Sequence, residues 1–359
     1  MIRNSKLKVM VAMSGGMDSS VAAALLKRAG FYSEQSRRVD VIGVFMKFWA
    51  EGEKAENRCC SPESEERARK AARRLKIPFY VLNFKKEFKK KVVDYFLKEY
   101  QLGRTPNPCV VCNKEIKFGL LLEKALSLGA DFVATGHYAR VSSLRLFQAR
   151  DKEKDQSYFL WQLNQKQLSR ILFPVGGYTK TEVRKLAKKF GLPASGISES
   201  QEVCFIQKTV NEFLAKYIKK RKPGVIVDTA GKKVGRHQGL IFYTIGQRKG
   251  IGLPGGPFWV LRKDPKKNFL VVTKNEKDLY KKELIFEKEN WIFPKQFPGN
   301  ATGQADKIKA KIRYRSKLAS GKLVQGNKFV FDRPQRAVTP GQSIVFYKGQ
   351  ELLGGGIIK

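Results

Sequence analysis

Two segments of this chain bring together residue types that can do chemistry. The first is Ser14-Gly15-Gly16-Met17-Asp18-Ser19-Ser20, which follows the apolar run Val9–Ala12 and opens a helix-like stretch. Paired glycines remove the Cβ atoms that would hold backbone amides away from a phosphate. Hydroxyls and a helix N-terminus add donors and partial positive charge. A carboxylate beside bare phosphate is electrostatically wrong, so Asp18 is expected to hold a magnesium ion. A lone Gly-Gly would read as a turn that caps a helix; the full run in a strand–loop–helix setting reads as a phosphate loop. It lacks the Gly-x-x-x-x-Gly-Lys-Ser/Thr spacing, so it is not of the Walker type.

The second segment is Cys109-Val110-Val111-Cys112, which follows Gly103-Arg104-Thr105-Pro106-Asn107-Pro108 and precedes Asn113-Lys114. Prolines on both sides of Asn107 restrict the loop, as suits a segment that must fix side chains. A helix is expected from about Glu115 to Leu128. The thiols then lie near its N-terminus with Lys114 and Lys117 close by, conditions that lower a thiol's pKa and favour thiolate. Cys204, within Glu199-Ser200-Gln201-Glu202-Val203-Cys204-Phe205, is distant in sequence but able to return to the same cleft. The chain has five cysteines, an odd count not spaced as a secreted disulfide framework. Catalysis, redox chemistry or a metal fits them better, with inert burial as the plain alternative. Structural zinc lacks ligands: beyond these cysteines a fourth would have to come from His137, His237, Cys59, Cys60 or a carboxylate.

The elements that must position these groups follow from the pattern. Strand-like runs at Val9–Ala12, Val39–Phe45, Phe79–Leu82 and Phe132–Thr135 alternate with helical stretches. One helix opens at Ser61-Pro62 with acids in its first turn and runs to about Leu75. Another covers about Glu87 to Tyr100, with Phe88, Val92, Phe96 and Tyr100 on one face. This alternation implies a doubly wound α/β domain with a parallel sheet covered on both faces. After about Lys208 glycine and proline become frequent and short alternating strands take over: Phe258–Arg262, Phe269–Val272, Ile308–Tyr314, Lys328–Phe331, Ser343–Phe346 and Leu352–Ile357. The expected division is a catalytic domain over 1–207, a central β-rich domain over 208–277 and a C-terminal β-barrel over 278–359.

Lys and Arg number 71 against 32 acidic residues, a formal charge of +39 spread along 359 residues. An excess of this size favours a polyanion, nucleic acid before a membrane surface, and its spread suits a broad footprint. No apolar run is long enough to span a membrane, and the first residues lack the apolar stretch of a secretory signal. The expected address is the cytoplasm.

The run SGGMDSS resembles the PP-loop of the ATP pyrophosphatases, which split ATP between its α and β phosphates and adenylate a substrate. On that resemblance Ala12, Met13, Ser14, Gly15, Gly16, Met17, Asp18 and Ser19 contact the nucleotide. Amide-forming synthetases share the loop and are the competing enzyme class; a non-catalytic RNA-binding module is the competing non-enzyme. The cysteine segment goes further. Together with Phe45–Trp49, Gly136–Arg140, Lys154–Tyr158, Phe173–Gly176, Thr244–Gly250 and Thr339–Gln342, it is similar to the tRNA-specific 2-thiouridylases over essentially the whole chain. That resemblance implies ATP with magnesium, adenylation of the O2 of the wobble uridine of tRNA, and attack of sulfur on C2. It implies Met46 and Gly136 in the nucleotide pocket, Cys112 as nucleophile and Cys204 as persulfide carrier. Asn107, Pro108 and residue 109 would touch the base, and His137, Lys154, Asp155, Gln156, Arg313, Tyr314 and Gln342 the tRNA. The sulfur donor would be a persulfide carrier protein or sulfide. Many members carry aspartate at position 109; Cys109 instead makes a Cys-x-x-Cys pair. With Cys204 this gives three thiolates that would suit a four-iron, four-sulfur cluster with one open iron, the alternative being a persulfide relay in which Cys109 is a spare or resolving thiol.

Overall fold

A computed structural model describes residues 6–29, 39–51, 57, 60–193, 203–293, 308–325 and 327–359. Cys59 and residues 199–202, singled out in the sequence, lie outside this set. The chain divides into two units. The first comprises Met1–Val92, Cys109–Gln207 and Gln350–Leu352; the second comprises Val93–Pro108, Lys208–Gly349 and Leu353–Lys359.

The first unit is built on a parallel sheet of β1 (Leu7–Ala12), β2 (Val39–Lys47), β3 (Phe79–Asn83), β4 (Phe132–Thr135) and the two-residue strand Ile171–Leu172. The order across it is β3, β2, β1, β4, then Ile171–Leu172. Alternate side chains of β1 face opposite sides, and each side is apolar. Val9 and Val11 pack against Val21, Ala22 and Ala23 of helix α1 (Met17–Ala29), Ala68, Ala71 and Ala72 of α2 (Pro62–Leu75), and Val183 and Ala187. Met10 and Ala12 pack on the other face against Leu121, Leu122 and Ala125. The doubly wound expectation therefore holds, and its cause is the burial of both faces of a parallel strand. Helix α2 begins where its cap chemistry says: the Ser61 side chain accepts from the Ser64 amide at 3.3 Å, with Pro62 in the first turn.

The helical run expected from Glu87 to Tyr100 is present, opening as Lys85–Phe88, passing through a π-helical turn at Lys89–Val93 and ending as Asp94–Gln101. Phe88, Val92, Phe96 and Tyr100 are all buried. The cysteine segment differs from expectation. Its helix starts at Pro108 rather than near Glu115, running as Pro108–Cys112, a π-helical stretch Asn113–Leu120 and Leu121–Ser127. The physical reason is that proline at a first helical position costs nothing, because its missing N–H has no intrahelical partner there.

The second unit holds two β-structures. Four strands, Gly224–Val227, Lys233–His237, Trp259–Asp264 and Phe269–Thr273, form a small sheet. Tyr280–Trp291, Lys328–Arg336, Ala319–Val324, Ile308–Lys311, Ser343–Lys348 and the Glu351–Ile358 strand follow one another around a barrel, closed by pairing of the first with the last. Its interior is aromatic: Phe346 lies 5.3 Å from Phe286, 5.4 Å from Phe329 and 5.3 Å from Trp291, ring centre to ring centre. The barrel and the β-rich module before it are as expected.

Candidate active site

Chain order along the parallel sheet runs outward from β1 to β3 and then returns to β4, so the connections leave β1 and β4 in opposite directions. The crevice past the carboxyl ends of such strands is where open α/β sheets bind ligands. Ser14–Ser20 follows β1 and Gly136-His137 follows β4, which brings both to that crevice. The loop's own bonds are short-range: the Ser14 amide donates to Ser19 Oγ at 3.1 Å, and the Ser19 and Ser20 hydroxyls donate to the Gly16 carbonyl at 3.1 and 3.0 Å. A Cβ on Gly136 would lie 2.6 Å from the Ser19 amide, so only glycine lets the end of β4 back onto the start of α1. Gly15 has a packing role as well. It sits at φ +75, and a Cβ there would meet the Ser64 carbonyl at 2.0 Å, so its bareness serves packing on α2. Ser14 is exposed and Gly16 half-buried, which leaves the loop a face for phosphate at the N-terminus of α1.

The charge at this loop was not foreseen. Both oxygens of Asp18 accept from Lys180 Nζ, at 2.7 and 2.9 Å, and Oδ1 also accepts from the Tyr138 hydroxyl at 2.8 Å. Both oxygens of Asp18, the residue expected to hold magnesium, are thus met by the Lys180 ammonium and the Tyr138 hydroxyl in this structure. Lys180 is 8 % exposed at its side chain and Asp18 26 %. Lys180 opens the Lys180–Lys189 helix, fixed by a capping box in which Thr179 and Glu182 exchange hydrogen bonds; its amide also donates to Asp151 at 2.9 Å. Thr179-x-x-Glu182 was legible as a helix start. A lysine in a first turn opposes the helix dipole, and that local misfit was the available signal that Lys180 serves something else. A buried ammonium beside a phosphate loop has the right charge for nucleotide phosphates, and Asp18 with Tyr138 aims it. Met46 lies near the carboxyl end of β2, opposite Leu82 of β3.

Of the cysteines, Cys109 stands exposed in the first turn of Pro108–Cys112, Cys112 is buried one turn on, and Cys204 is half-buried. It is therefore Cys109, not Cys112, that sits nearest a helix N-terminus. Among the described residues no three His, Cys, Asp or Glu side chains gather as a metal site. Cys109, Cys112 and Cys204, expected as possible holders of an iron–sulfur cluster, are not gathered as such a group among them. His237 is buried with its ring bonded to Asn268 and Gly239, which gives it a structural place. Cys60 accepts from the Phe48 amide at 3.1 Å and packs at the edge of the core. Beside Cys112, Asn113 donates to the Phe159 carbonyl at 3.2 Å, while its Oδ1 is buried without a hydrogen-bond partner.

The expected tRNA-contacting positions divide. Asp155 is 2 % exposed, and its carboxylate accepts from Gln148, the Ala149 amide, the Ser157 amide and the Ser157 hydroxyl. Its side chain faces inward and holds the turn that presents half-buried Lys154 and Gln156. Gln156 accepts from the Tyr138 amide at 2.9 Å. His137 bonds Thr135 Oγ1 through Nδ1 at 2.7 Å and packs between Phe118 and Phe173; desolvation, with Lys117 adding, holds its pKa well below the usual 6.5. Arg313 donates to the Ala337 carbonyl and to Thr339 Oγ1, with half-buried Tyr314 next to it. Gln342 donates to the carbonyls of Thr105 at 2.8 Å and Pro106 at 3.4 Å, so its amide is committed inside the protein.

A parallel sheet with a strand–glycine loop–helix at its switch point, and a proline-led Cys-x-x-Cys helix, defines the class of PP-loop nucleotide-dependent enzymes. Family models match along the chain as a tRNA methyl transferase HUP domain over residues 7–208, a tRNA methyl transferase PRC-barrel domain over 211–274 and an aminomethyltransferase beta-barrel domain over 281–358. The tRNA-specific 2-thiouridylase MnmA of Moorella thermoacetica is 45% identical over 98% of this chain and 99% of its own length. The protein of that name from Halothermothrix orenii is 46% identical over 98% and 99%, and that from Carboxydothermus hydrogenoformans 45% over 98% and 97%. The chain belongs to the tRNA-specific 2-thiouridylase family. No helix among the described residues is long and apolar enough to cross a membrane.

Proposed function

We propose that this chain is a tRNA-uridine 2-sulfurtransferase that uses ATP to place sulfur at C2 of the wobble uridine. The observation that carries the reading is full-length similarity to relatives named for that activity, at 45% identity. The words methyl transferase in two family descriptions fit less well, because methyl transfer needs neither an ATP-splitting loop nor paired reactive thiols. In the reaction, O2 of the uridine attacks the α-phosphate of ATP and pyrophosphate leaves. The C2 oxygen, a poor leaving group, then departs as AMP when sulfur attacks C2.

Ala12–Ser19, Met46 and Gly136 hold the nucleotide; Asp18 would hold a magnesium ion, which would offset phosphate charge, and Lys180 faces the same charge. Cys112 is the nucleophile and Cys204 carries the persulfide sulfur. Attack of the Cys112 thiolate on the Cys204 sulfur expels hydrosulfide, which attacks C2. A Cys112–Cys204 disulfide remains, to be reduced by a thiol before the next turnover. Exposed Cys109 is the spare thiol. Asn107 and Pro108 face the base; Lys154, Gln156, His137, Arg313 and Tyr314 face the tRNA, held by the modules over 1–207, 208–277 and 278–359. The donor is a persulfide carrier protein, which passes its outer sulfur to the Cys204 thiolate, or sulfide, which in place of the reducing thiol attacks the Cys204 sulfur of the Cys112–Cys204 disulfide and leaves Cys112 as thiolate; the setting is the cytoplasm.

The test mixes protein, ATP, unmodified tRNA and a sulfur source, then measures AMP, pyrophosphate and 2-thiouridine. All three should appear together and depend on tRNA. AMP formation driven by a small acid without tRNA would make the chain an amide-forming synthetase instead.

A further inference from the structure

Residues 103–106 join the Asp94–Gln101 helix to Asn107-Pro108, and their ties come from distant parts of the second unit. The Gly103 amide donates to Tyr100 and the Arg104 amide to Glu99, each at 2.9 Å. The Gly103 carbonyl accepts from Lys263 Nζ at 3.0 Å, across 160 positions of chain. Arg104 pairs with the carboxylate of Glu99 at 2.6 Å and reaches Glu287 at 3.6 Å. The Thr105 amide donates to the Pro340 carbonyl at 2.9 Å, and its hydroxyl lies 3.3 Å from that of Thr244. Gln342 Nε2 spans the carbonyls of Thr105 and Pro106, 237 and 236 positions away. Gly341, at φ +90, brings its turn so close that a Cβ would lie 2.9 Å from the Thr105 amide. A surface loop normally satisfies its polar groups with neighbours and water; this one is gripped from the helix, the small sheet and the barrel.

We infer that Gln342 and Lys263 are positioning residues that clamp the stem of the base- and sulfur-handling segment. The inference rests on the sulfur transfer proposed above. An amide NH2 has two donors, and both carbonyls of the turn before Asn107 take them. Lys263 adds a second argument. Its amine is withdrawn from water, and that desolvation brings its pKa down to about 8. Its hydrogen bond to the Gly103 carbonyl ties the stem to the small sheet. Holding the stem at both ends fixes where Asn107 and Cys109 begin, and misplacement by an ångström can cost about 100-fold in rate.

The experiment uses the full chain with Gln342→Ala, Gln342→Glu and Lys263→Met. Three quantities are read: hydrogen exchange at the amides of residues 103–105, tRNA affinity, and single-turnover thiolation at saturating tRNA. Faster exchange confined to 103–105 is expected, with a saturated rate lowered by roughly 10- to 100-fold and affinity held within about twofold. Gln342→Glu should be the slowest, since it turns oxygens toward two carbonyl oxygens. Lys263→Met should be slow yet no less heat-stable than wild type, and it carries the test should the Gln342 variants fail to fold. Weakened tRNA affinity with a wild-type saturated rate would make Gln342 a direct tRNA contact and overturn the clamp. Unchanged exchange at 103–105 would overturn it as well. Exchange is measured without tRNA or ATP, so it stands even if wild type forms no 2-thiouridine, in which case the proposed function fails and the clamp does not.

Discussion

The nucleotide loop and the cysteine-bearing segment are both short glycine- or proline-marked stretches ahead of a helix, yet they are held in place by different means. Ser14–Ser20 shapes its backbone with bonds spanning three to five positions. The stem at 103–106 is shaped by partners up to 237 positions away. A phosphate is bound by backbone amides and a helix end, which a strand and a helix in sequence supply unaided. Presenting a thiol and a base pocket to a large RNA demands a place that local geometry does not define. The first loop also has a non-local part, but it is the charge and not the shape: Asp18 meets Lys180 across 162 positions.

The sharpest way to break this comparison is to disable each segment separately. Cys112→Ala and Cys204→Ala should lose thiolation by about 1,000-fold or more while tRNA-dependent pyrophosphate release stays near wild type. Cys109→Ala should keep thiolation within about tenfold, and metal analysis should find no dependence on iron. Asp18→Asn and Lys180→Met should instead lose pyrophosphate release, by roughly 100- to 1,000-fold. A cysteine variant that stops pyrophosphate release would show that the two segments are one device.

A second measurement sharpens the non-local charge. Lys180→Met leaves a partly buried carboxylate with only neutral donors and should cost about 2–4 kcal/mol in denaturant unfolding. Asp18→Asn combined with Lys180→Met should recover part of that loss, because no uncompensated charge remains. Additive losses would mean that the pair contributes through packing alone.

His137 gives a smaller effect with a defined sign. Its folded-state pKa lies well below 6.5 because burial disfavours the charged ring. Below pH 6.5 the unfolded chain takes up a proton that the folded chain refuses, so stability falls as pH drops. The slope is at most about 1.4 kcal/mol per pH unit. His137→Gln should flatten this slope between pH 7 and 5.5; an unchanged slope would place the titration elsewhere. Smallest is Ser61→Ala, which removes the cap of α2 at a cost of about 1 kcal/mol. Since Gly15 packs on Ser64 in that first turn, pyrophosphate release should suffer more than tRNA affinity.

Much of the molecule was legible in advance, and the particular elements show why. Ser61-Pro62 with its acids named the start of α2, because a cap is a property of four adjacent residues. Phe132–Thr135 read as a strand and is one, with these same bounds, because a buried parallel strand is an apolar run. The hairpin of Ala139–Ser142 with Arg145–Gln148 and the helix that carries Lys180 went unread. The hairpin strands are only four residues long, whereas the helix was readable from Val183, Leu186, Ala187 and Phe190 on one face. The helix start at Pro108 was misplaced because proline was taken as loop punctuation when it was a first-turn residue.

The amino-acid sequence by itself determined the class of chemistry. A phosphate loop, two distant thiols and a charge of +39 are carried by residue types and short spacings, which need no third dimension to be read. Only the tertiary structure decided which groups those residues meet. It brought the Lys180 ammonium to Asp18, turned Asp155 inward and bound Gln342 to the loop at Thr105. Each of these is a choice of partner across more of the chain than any motif spans, except Asp155. There the partners are near neighbours and burial made the choice, since a carboxylate cut off from water must take every donor within reach.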